Sequence, residues 1–147
     1  MAARELRFDA IFFSSSSGGT HAGLAAGKEL FLHPDTRLIG ISPDDASASI
    51  EAAVRDILSG LSARLGAELD CDPAVLDEYA GEGYGVESAA GREALELAAR
   101  TEGVLLDPVY TAKAMAGMID RIRRGLLPSS SKVLFWHTGG QMALFRA

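Results

Sequence analysis

A run of hydroxyl-bearing residues and glycines links an apolar segment to a segment rich in alanine and leucine. It extends from Ser14 to Gly23 and reads Ser-Ser-Ser-Ser-Gly-Gly-Thr-His-Ala-Gly. Successive backbone N–H groups in such a run can form an anion-binding concavity, and a following helix N-terminus adds positive partial charge. No Gly-Lys-Ser/Thr and no Gly-x-Gly-x-x-Gly is present, so neither common nucleotide motif applies. The run indicates either a phosphate-binding loop or an ordinary loop with a serine that caps the helix.

Three other side chains that could take part in chemistry lie within two residues of a glycine or a proline. Tyr84 stands in a Gly-Glu-Gly-Tyr-Gly segment, and its phenol could give or take a proton. Tyr110 follows Asp-Pro-Val, residues that suit a helix start. Thr138 stands between a histidine and two glycines, where its hydroxyl could bind a ligand. The alternatives are an exposed loop tyrosine, a capping sequence and a simple turn.

The elements that position these motifs alternate between apolar strands and amphipathic helices. Strands are predicted near residues 10–13, 38–41, 104–106 and 133–136, and helices near 20–32, 50–65, 90–100 and 112–122, with a short helix at the C-terminus. Residues 70–87 are predicted to be rich in turns. The expected fold class is α/β, an open and mostly parallel sheet with helices on both faces. Ligands bind at the carboxyl ends of strands in such sheets, so motifs that follow strands should meet there.

Composition narrows the possible functions. The chain has 147 residues, 48% of them hydrophobic and 23% charged, which predicts one globular domain. A net charge of -6 argues against a nucleic-acid-binding protein. Cys71 is the single cysteine, so no internal disulfide can form, and nearby carboxylates disfavour it as a nucleophile. The sequence has no apolar stretch typical of a membrane span or a signal peptide, and we expect a soluble cytoplasmic protein without a metal site.

Taken together, the motifs resemble the C-terminal part of D-cysteine desulfhydrases and 1-aminocyclopropane-1-carboxylate (ACC) deaminases. These are pyridoxal-phosphate (PLP) enzymes of fold type II, the tryptophan synthase β type. The resemblance runs from about Phe8 to Phe145 and is carried by residues 17–24, 81–85, 101–117 and 137–140, in the family's order. The stretch 101–117 is long and specific. The resemblance implies the tryptophan synthase β-like fold and PLP as cofactor.

The resemblance also implies roles for individual residues. The segment that holds the cofactor phosphate corresponds to Ser16, Ser17, Gly18, Gly19 and Thr20. Thr138 corresponds to the position that faces the pyridine nitrogen, and the two active-site tyrosines correspond to Tyr84 and Tyr110. Ser16 stands where the family usually has glycine. If that position needs a positive φ, a serine there would be strained and phosphate affinity would fall.

Two positions favour the desulfhydrase branch. ACC deaminases typically carry glutamate and leucine where this chain has Thr111 and Thr138. A neutral hydroxyl at the pyridine nitrogen gives a weaker electron sink than a carboxylate, which suffices for α,β-elimination of a thiolate. The expected reaction therefore converts a small amino acid such as D-cysteine into pyruvate, ammonia and sulfide. Ring-opening deamination of ACC is the alternative.

The family's Schiff-base lysine belongs to an upstream segment without a counterpart in residues 1–147. Lys28, Lys113 and Lys132 do not match it, and Lys113 is expected to extend to solvent. We expect residues 1–147 to form a single partial domain, the C-terminal portion of the PLP-binding large domain. It should be inactive alone, expose apolar surface, and need the missing N-terminal half in cis or in trans, with the intact protein a homo-oligomer. The alternatives are a non-catalytic remnant that binds PLP, an anion or a partner chain, and a free-standing nucleotide-binding module.

Overall fold

The structure, a computed structural model, describes residues 7–69 and 71–145. Its strands and helices follow in the order β1 (Ala10–Ser14), α1 (Gly19–Phe31), β2 (Arg37–Ile41), α2 (Ser47–Leu65), β3 (Val75–Leu76), α3 (Ala89–Glu102), α4 (Thr111–Arg123) and β4 (Val133–Phe135), with a short 3-10 helix at Gln141–Phe145. The strands form one sheet in the order β3-β2-β1-β4. Every strand pair is parallel, which confirms the predicted α/β class.

The two faces of β1 bury alternate residues against different helices. Ile11 and Phe13 belong to a core cluster that includes residues of α1 and α2. Phe12 belongs to a second cluster that includes Ala114 of α4. Successive side chains of a strand point to opposite faces, so this alternation covers the sheet on both sides. α3 then packs on α4 through Ala98 and Ala112.

The strand predicted at residues 104–106 is wrong. The N–H of Val104 donates to the carbonyl of Ala98 and so closes the end of α3, while the carbonyl oxygen of Leu105 lies 3.0 Å from Nε2 of His137. The run is buried only at Leu106, since Val104 and Leu105 are 37% and 49% exposed. Its backbone groups serve a helix cap and a histidine instead of a strand ladder.

The sheet has instead a strand that was not predicted, β3, which lies in the segment 70–87 predicted to be rich in turns. β3 has only two residues, and the backbone around it bonds to β2: the N–H of Gly40 donates to Ala74 and that of Ser42 donates to Leu76. Two residues are too few to show a strand periodicity in the sequence. No helix in the described part of the chain is both long enough and apolar enough to cross a membrane.

Candidate functional site

A cavity of about 380 Å³ opens where β1 and β4 end. Its lining comes from three segments: residues 14–18 with Thr20 and His21 after β1, Asp107 and Tyr110 at the start of α4, and residues 138–140 after β4. The prediction that the serine-glycine loop and Thr138 meet at one edge of the sheet is therefore confirmed. Of the residues that the sequence analysis selected, Gly19 and Tyr84 do not line this cavity.

The first turn of α1 faces the cavity without an internal cap. Gly18 is the N-cap residue with φ +83°, no side chain bonds to the first turn, and this turn contains no acidic residue. The first N–H groups of a helix have no acceptor within the helix, and the helix dipole gives them positive partial charge. Within residues 7–69 and 71–145, positive φ occurs only at glycines, so the strain anticipated at Ser16 is not found. The left-handed residue of this loop is Gly18.

The first turn of α4 is closed by a buried carboxylate. Asp107 accepts hydrogen bonds from the backbone N–H groups of Val109, Tyr110 and Thr111 at 2.8 to 2.9 Å. The Thr111 hydroxyl donates to the same carboxylate at 2.7 Å and accepts from the N–H of Asp107 at 2.8 Å. The Thr111 side chain therefore serves the cap. Asp107 also explains Gly140, where a Cβ would lie 2.6 Å from Asp107 Oδ1 and φ is +94°.

The two tyrosines that the sequence singled out contact each other. Their hydroxyl oxygens lie 2.7 Å apart, and their rings meet edge to face with centroids 6.0 Å apart. The hydrogen bond to Tyr84 raises the pKa of Tyr110 to about 12, with further contributions from burial and from the charges of Asp44 and Asp107. Tyr110 therefore keeps its proton at neutral pH. Tyr84 is 63% exposed, so its contact with Tyr110 links the cavity to solvent.

Ser15 and His21 form a buried pair that the sequence analysis did not select. The Ser15 hydroxyl oxygen lies 3.1 Å from Nδ1 of His21, and the imidazole meets the ring of Phe13 edge to face at 4.8 Å. Both residues are buried, and Nε2 of His21 is buried without a hydrogen-bond partner in the structure. Burial lowers the pKa of His21 to about 4, so the ring is neutral at pH 7. The available sign was a histidine within a run of otherwise small or hydroxyl-bearing residues, Ser14 to Gly23.

The expectation that Lys113 extends to solvent is wrong. Its side chain is buried, and its Nζ donates to the carbonyl oxygens of Pro43, Ala80 and Gly83. Burial lowers the pKa of Lys113, and the nearby charge of Asp44 opposes that shift. Three carbonyl groups replace the water that a lysine normally seeks. Their positions on two distant loops explain why the sequence pattern did not predict this contact.

Residues 1–139 match the family model described as pyridoxal-phosphate dependent enzyme. The chain belongs to the pyridoxal-phosphate dependent enzyme family. Its relatives include the D-cysteine desulfhydrases of Salmonella schwarzengrund and Salmonella paratyphi C, which are 45% and 44% identical over 135 residues. Each match covers 92% of this chain and 41% of the relative.

A solved structure of this family has the same fold. The crystal structure of an ACC deaminase homologue superposes with a TM-score of 0.84 at 32% sequence identity, over 95% of this chain and 42% of that one. The chain thus spans about two fifths of the length of the relatives that it matches. Its fold is that of a fold type II PLP enzyme, and PLP is the cofactor of its family.

Proposed function

We propose that this chain contributes the phosphate-binding loop and the tyrosine pair to the active site of a PLP-dependent lyase of the D-cysteine desulfhydrase type. The observation that carries this proposal is the shared cavity, where the uncapped start of α1 lies with Thr138 and Tyr110. The 45% identity to a D-cysteine desulfhydrase supports the choice of reaction.

The cavity's donors suit a phosphorylated cofactor. In this proposal the phosphate would be held by Ser16, Ser17, Gly18, Gly19 and Thr20, because the open helix N-terminus supplies N–H donors and positive partial charge. Thr138, which lines the cavity, would face the pyridine nitrogen. Gly139 and Gly140 also line the cavity and would leave room for the cofactor ring beside the backbone. When bound, PLP supplies the electron sink for chemistry at the substrate's α-carbon.

The tyrosine pair supplies proton transfer in this scheme. Tyr110 lines the cavity and keeps its proton at neutral pH, because its pKa is raised to about 12. Its Oη would therefore stay protonated and donate a hydrogen bond to a departing thiolate sulfur, and Tyr84 Oη, 2.7 Å away, would link it to solvent for proton exchange. Asp107 fixes the backbone N–H of Tyr110 and so orients the phenol toward the cavity. The buried carboxylate would act through the position that it gives to Tyr110.

We also propose that residues 1–147 form the C-terminal portion of the PLP-binding domain and work with an N-terminal half that carries the Schiff-base lysine. None of the described residues that line the cavity is a lysine. A mostly apolar groove of about 430 Å³ along α1 supports a docking site for that half, and its lining includes Phe31 and Trp136, which are 83% and 46% exposed. We further propose that the assembled protein is a homo-oligomer, as expected from the resemblance to the family.

A reconstitution experiment tests this function. The purified chain would be mixed with PLP and D-cysteine, with and without a separately produced N-terminal portion of a D-cysteine desulfhydrase. We expect visible absorbance of lysine-bound PLP, and pyruvate release, only when both parts are present. The Tyr110→Phe variant should retain the absorbance and lose most of the turnover, which separates cofactor capture from proton transfer.

Other outcomes would replace the proposal. Borohydride labelling of one lysine of the chain alone, with pyruvate released above the rate of free PLP, would show that no second part is needed. Deamination of ACC in place of D-cysteine would favour the alternative reaction, which the ACC deaminase homologue structure supports. PLP binding without turnover in any mixture would identify a non-catalytic remnant.

A further inference from the structure

Lys113 is a buried lysine that the proposed chemistry does not use. It is 0% exposed, and its Nζ lies 2.7 Å from the carbonyl oxygen of Pro43, 2.7 Å from that of Ala80 and 2.9 Å from that of Gly83. An ammonium group has three N–H donors, so these contacts satisfy it completely. A buried charge that is fully satisfied by three backbone carbonyls has a defined place, and it fixes the segments that supply the carbonyls.

The three carbonyls belong to two loops that flank the tyrosine pair. Pro43 follows β2, whereas Ala80 and Gly83 belong to the loop of residues 77–88 between β3 and α3. Gly83 directly precedes Tyr84 in the chain. Lys113 itself lies in the first turn of α4, three residues after Tyr110. One ammonium group therefore connects the segments that carry both phenols.

The loop is anchored at its start, where Asp77 accepts from the N–H of Ser47 and Tyr79 donates to Asp120, whereas the part that holds Tyr84 has few contacts besides Lys113. Its backbone passes through Gly81, Gly83 and Gly85, with φ values of +67°, +124° and +76°. Glycine has more backbone freedom to lose than other residues, so such a loop needs outside contacts to hold one conformation. The Tyr84 ring is more than half exposed, so burial does not hold it in place.

We propose that Lys113 is a positioning residue for Tyr84. The Lys113 ammonium binds the loop of residues 77–88 to α4 and so brings Tyr84 Oη to Tyr110 Oη. Only the effect of this role on catalysis rests on the proposed function, because the contacts of Lys113 exist without cofactor or substrate. Arginine could not replace the lysine, since its planar fork does not match three carbonyls that converge on one point. Asp44 is the carboxylate whose charge acts on both Lys113 and Tyr110.

The Lys113→Met variant tests this role in the purified chain without PLP. Methionine keeps most of the apolar stem and removes all three donors. We expect the Tyr110 pKa, followed by NMR of ring-labelled tyrosine, to fall from about 12 toward 10, because the hydrogen bond to Tyr84 is lost. Cleavage by a glutamate-specific protease after Glu82, inside the loop, should become about tenfold faster as the loop opens. The control is Lys132→Met, which changes an exposed lysine.

Two comparisons make the test specific. In a Tyr84→Phe background the Tyr110 pKa should already be lowered, and Lys113→Met should add no further shift. An unchanged or raised Tyr110 pKa in Lys113→Met would overturn the proposal, because the hydrogen bond from Tyr84 would then persist without the lysine. Equal acceleration of cleavage after Glu82 and after Glu102 would overturn it too, since it would indicate general loss of stability.

A second variant covers the case in which Lys113→Met does not fold. Lys113→Ala leaves space for an alkylammonium ion, and ethylammonium should restore protection of Glu82 and the high Tyr110 pKa, whereas sodium at equal ionic strength should not. Failure of ethylammonium to restore either one would overturn the proposal. These measurements need no turnover, so the positioning role and the lyase function can fail separately.

Discussion

Two helices begin at the same cavity, and their first turns are completed in opposite ways. The start of α4 is closed from within, because the Asp107 carboxylate accepts three backbone N–H groups and the Thr111 hydroxyl. The start of α1 has no side-chain cap and no acidic residue. A closed turn fixes the backbone that carries Tyr110, whereas an open turn leaves its donors for a ligand.

The remaining helices show that the open turn is a local feature of α1. The N–H of Ser47 at the start of α2 donates to Asp77 at 2.7 Å, and this bond lowers the pKa of Asp77. The start of α3 is capped by the Ser88 hydroxyl, which accepts from the N–H of Gly91 at 3.1 Å. Among the α-helices of the described residues, α1 is therefore the one whose start lacks a side-chain acceptor, and it follows the serine-glycine loop.

Removal of the closed cap should have the largest effect on stability. Asp107→Ala leaves several buried donors without an acceptor, and we expect a loss of about 3 kcal/mol in the free energy of unfolding. Urea denaturation measures this change. Ser88→Ala is the matched control, because it removes a single neutral cap and should cost about 1 kcal/mol. An Asp107→Ala loss no larger than that of Ser88→Ala would show that the carboxylate network contributes nothing beyond an ordinary cap.

The contrast between the two turns also separates what the sequence could predict from what it could not. Strand ends and helix starts are local patterns, so the loop after β1 and the Asp107–Tyr110 segment were located correctly. The partners of Lys113 lie 30 to 70 residues away in the chain, and no local pattern encodes them. Residues 104–106 have the composition of a strand, but whether a strand forms depends on a neighbour that pairs with it. β3 was missed because two residues carry no period.

Acid should weaken the fold through His21 in the first turn of α1. Its pKa is about 4 in the folded chain, against 6.5 ordinarily, because the ring is buried. At pH values between these two pKa values, His21 is protonated in the unfolded chain but not in the folded chain, so the free energy of unfolding falls as the pH falls. We expect a loss of about 2 kcal/mol between pH 7 and pH 5 in urea denaturation.

The variant His21→Gln isolates this effect, because glutamine has no proton to gain in that range. Its stability should change much less between pH 7 and pH 5. Asp77 and Asp120, whose pKa values are lowered in the fold, act at lower pH, where their unfolded forms take up protons. An unchanged pH dependence in His21→Gln would mean that the buried imidazole is not the group responsible.

The smallest change in stability should come from closing the open turn, and it should have the opposite sign. Thr20→Asp places a carboxylate in the first turn of α1, where the helix dipole favours negative charge. The free energy of unfolding should therefore rise by about 0.5 kcal/mol. The same charge should repel phosphate, so calorimetric titration with PLP should show a loss of affinity of about tenfold or more.

Thr20→Asn is the control, since asparagine has nearly the shape of aspartate without the charge. This variant should leave stability nearly unchanged, with a smaller loss of affinity. If Thr20→Asp lowered stability, the donors of α1 would already be satisfied; if it left the affinity intact, the phosphate would bind elsewhere.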